Sequence, residues 1–265
     1  MLNNTLWIVG VFLILALAKL LRFWFKKTKG SRGEGQLVRR LKKLRGEKRI
    51  LRNAYVPSTG GKTKEIDVLL IANSGVYVFE MKNYSGWIYG SECKETWTQT
   101  LAGGKVKNKF YNPVWQNHNH IKALKSYIGV SDEDLPIHSI VVFGDDCRLK
   151  NLTLSGNTPV IQLKSVNRAV SEIAKRYSNK LPRVESVYQK LLPLTQVTKK
   201  EKVAHVKNIK TTIDKREKSI ANKICPRCAA PLVERTAKKG ANVVNRFWGC
   251  SNYPKCKFTT SVKQY

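Results

Sequence analysis

Residues 65–83, EIDVLLIANSGVYVFEMKN, decide the fold of this chain. Two runs rich in Val, Ile and Phe flank a short Asn-Ser-Gly segment, and this pattern predicts a β-hairpin. Side chains alternate between the two faces of a strand, so the hairpin brings Asp67, Glu80 and Lys82 onto one face with either tight loop, Asn-Ser or Ser-Gly. In the first register Asp67 lies opposite Glu80, and in the second it lies opposite Lys82.

Two carboxylates on one face of a hairpin indicate a metal site. They repel each other when both are ionised, and a hard divalent cation such as Mg²⁺ or Mn²⁺ relieves that repulsion. Lys82 could then orient or deprotonate a water molecule, or offset negative charge on a phosphate. The alternative is that Asp67 and Glu80 form ordinary salt bridges with lysines on a solvated strand face. The spacing alone leaves both interpretations open.

The segments around the hairpin predict one mixed α/β domain over residues 31–196. We predict, in order, a helix over 33–46, a strand over 49–57, short strands beside the Gly-Gly pair at 103–104, a helix capped by Asn112 and ended by Gly129, and then two strands and two helices. The helix after Asn112 carries His118 and His120, which point in different directions on a helix. We therefore expect surface or packing roles for both histidines.

Three segments in order, GEGQLVRRLKKL, the hairpin with the GWIYG that follows it, and NPVWQNHNHIKALKSYI, resemble the nuclease-related domain (NERD) family of the PD-(D/E)xK superfamily. The resemblance implies a restriction-endonuclease-like mixed sheet flanked by helices, and phosphodiester hydrolysis with Mg²⁺ or Mn²⁺. It also implies five site residues, namely the metal-binding carboxylates Glu34, Asp67 and Glu80, the catalytic lysine Lys82 and the auxiliary residue Gln116.

Four cysteines near the C-terminus predict a zinc site. CPRC at Cys225 and Cys228 and CSNYPKC at Cys250 and Cys256 supply the four thiolates of a closed tetrahedral site. Residues 223–265 resemble the four-cysteine zinc finger of type IA topoisomerases, which implies binding of single-stranded DNA. Basic and aromatic side chains are the expected contacts, with Trp248 in the small core. The expected contacts are Arg227, Lys238, Lys239, Arg246, Phe247, Tyr253, Lys255 and Lys257.

The charge of the chain predicts a polyanionic partner. It has 49 Lys and Arg against 18 Asp and Glu, a formal net charge of +31, which favours nucleic acid or anionic lipid. Residues 197–222 are rich in lysine and lack Gly and Pro, so we predict a solvated basic linker with partial helical character.

Residues 6–25, LWIVGVFLILALAKLLRFWF, are apolar except for one lysine and one arginine. Twenty helical residues rise about 30 Å, which predicts a transmembrane anchor within residues 1–30. The alternative is a cleaved signal peptide, but here the basic residues KKTKGSR follow the apolar run. The positive-inside rule then predicts a single-pass protein of the cell membrane whose bulk is cytoplasmic.

Together these features predict a membrane-anchored DNA-binding protein with an Mg²⁺-dependent nuclease domain and a structural zinc ribbon. The first alternative is a non-catalytic tether between nucleic acid and the membrane. The second is a membrane-surface protein whose zinc ribbon binds protein. Sequence alone does not separate these three interpretations, because intact ligands do not prove turnover.

Overall fold

The structure is a computed structural model that describes residues 30–129, 135–177, 183–237 and 246–261. The predicted transmembrane segment lies outside the described residues. Among the helices that are described, none is long and apolar enough to cross a bilayer. The chain divides into two compact units, Met1–Val197 and Thr198–Tyr265, called here the first unit and the second unit.

The elements follow one another in a mixed order of strands and helices. The described helices are α1 (residues 30–42), α2 (Pro113–Ile128), α3 (Val166–Arg176), α4 (Val184–Leu191) and α5 (Lys199–Ala221). The strands of the first unit are β1 (Lys48–Ser58), β2 (Lys62–Ala72), β3 (Gly75–Lys82), β4 (Gly86–Ser91), β5 (Thr96–Leu101), β6 (Val106–Tyr111), β7 (Ile137–Phe143), β8 (Cys147–Thr153) and β9 (Val160–Gln162). The second unit adds β10 (Leu232–Thr236), β11 (Arg246–Cys250) and β12 (Thr259–Ser261).

A five-stranded mixed sheet in the order β1-β2-β3-β7-β9 forms the centre of the first unit. The strands β1, β2 and β3 make the predicted antiparallel meander, whereas β3 pairs with β7, and β7 with β9, in parallel. Ala72 pairs with Gly75, so the hairpin loop is Asn73-Ser74. Of the two predicted registers, the structure therefore has the one that sets Asp67 opposite Glu80.

Helices cover both faces of this sheet, as predicted for a mixed α/β domain. The face that bears the even-numbered residues of β3 packs against α2. That layer includes Leu69, Ile71, Val76, Val78, Ile121 and Leu124. The other face packs against α1 and α3. That layer includes Leu70, Tyr77, Phe79, Leu37, Leu41 and Val166.

A second sheet of four strands, in the order β6-β5-β4-β8, adjoins the end of β3 and β7. Its inner face packs Ile88 and Trp97 against Phe143 of β7. The indole of Trp97 lies over Gly90, where a built Cβ would come within 2.1 Å of the ring, so a larger residue cannot stand there. The sequence predicted the short strands beside the Gly-Gly turn but missed β8.

The second unit consists of α5 and a three-stranded sheet, β10-β11-β12. The segment predicted as a solvated linker forms one continuous helix of 23 residues, begun by a capping box between Thr198 and Glu201. Its last turn places Ile220 against the cysteine cluster of the sheet. The segment is thus largely exposed and helical, in line with the predicted solvated segment of partial helical character, but its last turn packs on the cysteine cluster.

Candidate active site and zinc centre

Three of the five predicted site residues lie at the end of the hairpin, on the face that α2 covers, while Gln116 lies on α2 and Glu34 on α1. Beyond Leu69 and Val78, the same face continues as Asp67 on β2 and as Glu80 and Lys82 on β3. The first half of α2 lies above them. The predicted cap holds α2 there. The Asn112 side chain accepts hydrogen bonds from the N–H groups of the first turn and donates to three carbonyls of the segment 91–94.

Lys82 joins two of the other predicted site residues. Its Nζ donates to Glu80 Oε1 at 2.5 Å and to Gln116 Oε1 at 3.0 Å. The main-chain N–H of Met81 donates to Asp67 Oδ2 at 2.7 Å. The Glu80 side chain is only 1% exposed and that of Lys82 is 17% exposed. The structure thus brings Asp67, Glu80, Lys82 and Gln116 into one largely dehydrated cluster.

The charges in this cluster shift one another's pKa values. Burial and the negative charge of Glu80 raise the pKa of Asp67 well above its ordinary value, although Lys82 opposes the shift. Burial lowers the pKa of Lys82, but the charges of Glu80 and Asp67 outweigh it, so the net shift is upward. Lys82 is therefore an ammonium ion at neutral pH, and Asp67 sits where added positive charge is favourable.

Glu34 lies beside the cluster without joining it. A Cβ on Gly33 would come within 2.7 Å of Asn83, so this glycine allows α1 to approach the end of β3. Glu34 Oε2 accepts hydrogen bonds from Arg52 at 3.2 Å and Asn53 at 3.4 Å. Its charge contributes to the raised pKa of Asp67. The side chain is thus within electrostatic reach of the site but is held by β1.

The carboxylates do not form a preassembled three-ligand cage. Across the part of the chain that the structure describes, the four zinc-type cysteines are the one group of three or more His, Cys, Asp or Glu ligand atoms within 4.8 Å of each other. Glu34, Asp67 and Glu80 therefore do not meet as a set of three. The two opposed carboxylates Asp67 and Glu80 are the pair that the fold brings together.

His120 is buried, which is compatible with the packing role predicted from sequence, and it lies beside this site. It is 4% exposed, and its Nδ1 lies 3.5 Å from Glu80 Oε2. Burial lowers the pKa of His120, and Glu80 opposes that shift. Spacing could have revealed it, because His120 follows Gln116 by four residues and so shares its helix face. His118, by contrast, is exposed.

The pair of carboxylates fits a magnesium-type cation. Glu80 Oε2 is buried and has no hydrogen-bond partner, although a buried carboxylate oxygen normally has one. Burial and the charge of Glu80 raise the pKa of Asp67 despite Lys82, so a further positive charge would be favourable there. Mg²⁺ is usually held by one or two carboxylates and keeps several waters, so Asp67 and Glu80 suffice as protein ligands.

The four cysteines of the second unit form a zinc-type centre. The Sγ atoms of Cys225 and Cys256 are 3.7 Å apart, and those of Cys228 and Cys250 are 3.3 Å apart. A tetrahedral site with Zn–S bonds of about 2.3 Å has edges of about 3.8 Å, close to these distances. Hydrogen bonds from the main-chain N–H of Ala230 and from neighbouring cysteines lower the pKa of Cys228 to about 7, whereas burial raises the pKa of Cys250 to about 12. A metal ion would favour the thiolate form of all four, because it binds the deprotonated sulfur.

The predicted nucleic-acid contacts of this ribbon are mostly exposed. Tyr253 is 60% exposed, and the guanidinium of Arg235 lies 5.7 Å from its ring centre. The core aromatic residue is Phe258 at 2% exposure, with the predicted Trp248 packed only partly against the cluster. Among the other predicted contacts, Arg227, Lys255 and Lys257 are exposed and Phe247 is half-buried. Arg246 is exposed and forms an ion pair with Glu234. Lys238 and Lys239 lie outside the described residues.

Comparison with known families finds one match in each of the two units. Residues 29–144 match the family described as nuclease-related domain, and residues 222–265 match the topoisomerase DNA-binding C4 zinc finger. The chain therefore contains a nuclease-related domain and a topoisomerase-type zinc ribbon. Both family resemblances inferred from the sequence are confirmed.

Individual relatives resemble one part of the chain or the other. An uncharacterized protein of Bacillus anthracis is 41% identical over 129 residues, which make up 48% of this chain and 58% of that protein. DNA topoisomerase 1 of Mycoplasma genitalium is 32% identical over 96 residues, 36% of this chain and 12% of the topoisomerase. That of Methanocaldococcus jannaschii is 49% identical over 43 residues, 16% of this chain and 5% of the topoisomerase. No solved structure matches. This chain thus spans little more than half of the Bacillus relative and a small part of each topoisomerase.

Proposed function

We propose that this protein cleaves phosphodiester bonds of DNA in the presence of Mg²⁺ or Mn²⁺, and that its zinc ribbon holds single-stranded DNA. The observation that supports cleavage best is the cluster of Asp67, Glu80, Lys82 and Gln116 at the end of the hairpin. A structural salt bridge would need Lys82 and Glu80 alone. It would not account for a second carboxylate with a raised pKa directly opposite Glu80.

Each side chain of the cluster has a role in this proposal. Asp67 and Glu80 would hold the cation, which when bound supplies a Lewis acid that stabilises negative charge on the phosphate. Lys82 carries a raised pKa, so it acts as a charged donor toward developing negative charge, not as a proton acceptor. Gln116 accepts from Lys82 Nζ and so fixes the direction of the ammonium group. His120, whose Nδ1 lies 3.5 Å from Glu80 Oε2, would help to position that carboxylate.

DNA binding by the ribbon is supported by its exposed aromatic and basic groups. Tyr253 and Arg235 border a concavity of about 310 Å³ whose lining also includes Phe247 and Lys257. An aromatic ring flanked by cations can stack on an unpaired base while the cations neutralise the phosphates beside it. This arrangement favours single-stranded over paired DNA.

A membrane location is a further part of the proposal, and it rests on the sequence of residues 6–25. Fractionation of cells that express the full chain or a version beginning at residue 31 tests it. We expect the full chain in the membrane fraction, resistant to extraction by high salt, and the shortened chain outside it. Equal distribution of the two would remove the anchor from the proposal.

Cleavage is tested with purified, zinc-loaded protein on supercoiled plasmid, with and without added Mg²⁺ or Mn²⁺. We expect nicking that requires the added metal and is lost in Lys82→Ala, while DNA binding persists. Lys122→Ala is the matched control, because Lys122 is exposed on α2. Metal-dependent nicking by Lys82→Ala would refute the assigned mechanism. Tight, salt-sensitive binding with no nicking by the unaltered protein would favour the non-catalytic tether.

A further inference from the structure

The four-stranded sheet of the first unit has one face that the core does not use. Ile88, Trp97 and Phe110 point inward, and neighbouring residues along each strand point the other way. We call this second side the outer face. Its members are Trp87 and Tyr89 on β4, Thr96 and Thr98 on β5, Lys107, Lys109 and Tyr111 on β6, and Arg148 on β8.

The outer face carries positive charge and no negative charge of its own. None of the four strands contains an Asp or a Glu. Lys107, Lys109 and Arg148 are all exposed. In the part of the chain that is described, no ion pair engages any of these three side chains. A sheet face kept only for solubility would mix both signs of charge, so the bias favours a polyanionic ligand.

Large aromatic side chains lie among the basic residues of the outer face. Trp87 and Tyr111 are each 39% exposed, although burial of such rings is strongly favourable. Trp87 lies directly beside Arg148 of the neighbouring strand. Rings set among lysines and arginines are the arrangement that lets unpaired bases stack while the cations follow the phosphates. A duplex keeps its bases stacked on one another and cannot use the rings in this way.

The outer face begins next to the candidate active site. Trp87 follows Lys82 by five residues, which limits the separation of their Cα atoms to about 17 Å. At the other edge, the Tyr111 ring centre lies 6.4 Å from that of Trp115, the residue before Gln116 on α2. Tyr111 therefore contacts the residue beside Gln116, and Trp87 lies within about 17 Å of Lys82.

We propose that the outer face binds a single strand of nucleic acid and leads it to the carboxylate cluster. Phosphates would follow Lys107, Lys109 and Arg148, and bases would stack on Trp87 and Tyr111. This site is distinct from the zinc ribbon and lies within the first unit. Only the destination of the strand rests on the proposed function, since binding at the outer face does not require cleavage.

The charge component is tested by the salt dependence of binding to a fluorescent oligothymidylate. The full-length, zinc-loaded protein is used without added Mg²⁺ or Mn²⁺. Each phosphate contact on a single strand contributes about 0.7 to the slope of log K against log salt, so Lys107→Glu with Lys109→Glu should reduce the slope by about 1.4. The double variant Lys175→Glu with Arg176→Glu makes the same charge change at the exposed end of α3 and is the control. Equal slopes in the two double variants would overturn the proposal.

The stacking component is tested by changing the rings. Trp87→Ala should weaken oligothymidylate binding by roughly 5- to 150-fold, the range for loss of one stacked base, and Trp87→Phe should retain most of the affinity. Photo-crosslinking of a 4-thiothymidine oligonucleotide to the unaltered protein should label peptides that contain Trp87 or Tyr111, beside ribbon peptides that serve as a positive control. Labelling of the ribbon alone would refute the outer-face site. Labelling of the outer face in a protein that shows no nicking would leave this inference intact and reject only the nuclease.

Discussion

Replacement of Lys82 by Met tests whether the buried charge cluster exists as described. Methionine approximates the length of lysine but removes both its charge and its two hydrogen bonds, to Glu80 and to Gln116. Glu80 is 1% exposed and stands opposite Asp67, so the change leaves two buried carboxylates without their common counter-charge. The folded state should therefore lose stability in the absence of a divalent cation.

The size of the loss follows from burial. Removal of one partner of a buried ion pair costs about 3–5 kcal/mol, and the low exposure of Lys82, 17%, leaves little screening by solvent. In a domain of this size each kcal/mol lowers the melting temperature by about 2–4 °C, which gives a fall of about 6–20 °C. The double variant Glu80→Gln with Lys82→Met removes both charges and should recover most of that loss.

Thermal unfolding of zinc-loaded protein, followed by circular dichroism, measures these differences. Lys122→Met is the matched control. Its free energy of unfolding should lie within about 1 kcal/mol of that of the unaltered protein, as expected for an exposed lysine. Added Mg²⁺ should restore part of the stability lost in Lys82→Met, because a cation between Asp67 and Glu80 replaces the ammonium charge. The reasoning fails if Lys82→Met melts like the control, or if the double variant is no more stable than the single one.

Four further results are expected. Burial and Glu80 raise the pKa of Asp67. Ionisation of Asp67 therefore destabilises the metal-free protein as pH rises through that pKa. Asp67→Asn should consequently raise the melting temperature at neutral pH, and it should abolish nicking because a metal ligand is lost. Because the pKa of Asp67 is raised, metal-supported nicking should rise with pH across a range above the ordinary pKa of Asp, as measured in a pH series at fixed Mg²⁺. Removal of zinc from Cys225 and its three partners by a chelator should unfold β10–β12 and eliminate one thermal transition. Tyr253→Ala should weaken binding of single-stranded DNA by about 5- to 150-fold in fluorescence anisotropy, whereas Tyr253→Phe should not.

The hairpin could be predicted because strand periodicity and turn chemistry act over short distances. Alternation alone placed Asp67, Glu80 and Lys82 on one face, and the structure agrees. The register remained open because Asn73-Ser74 and Ser74-Gly75 are both suitable tight loops, and packing against α2 distinguishes them only in three dimensions. A one-residue choice of this kind decides whether two carboxylates or a carboxylate and an amine face each other.

His120 and β8 show a different limit. His118 and His120 are two residues apart and diverge on a helix, whereas Gln116 and His120 are four residues apart, about one helical turn, and share a face. The strand β8 reads CRLKNLT, with few β-branched residues and a left-handed residue, Asn151, inside it, so its local propensity is weak. Its place in the sheet comes from parallel pairing with β4, a contact between segments more than 50 residues apart.

Asn53 explains why the position of Glu34 could not be read from sequence. It lies in the middle of β1, between the paired residues Arg52 and Ala54, yet its φ of 51° is left-handed. Such a residue costs about 1–2 kcal/mol and persists only where its surroundings impose it, although Asn tolerates it better than most. The twist directs the amide to Glu34 at 3.4 Å and to Glu65 at 3.2 Å. A strand pattern predicts an ordinary extended residue at Asn53. The left-handed turn of the backbone, through which Asn53 holds Glu34 beside the carboxylate pair and not within it, therefore could not be predicted from the sequence.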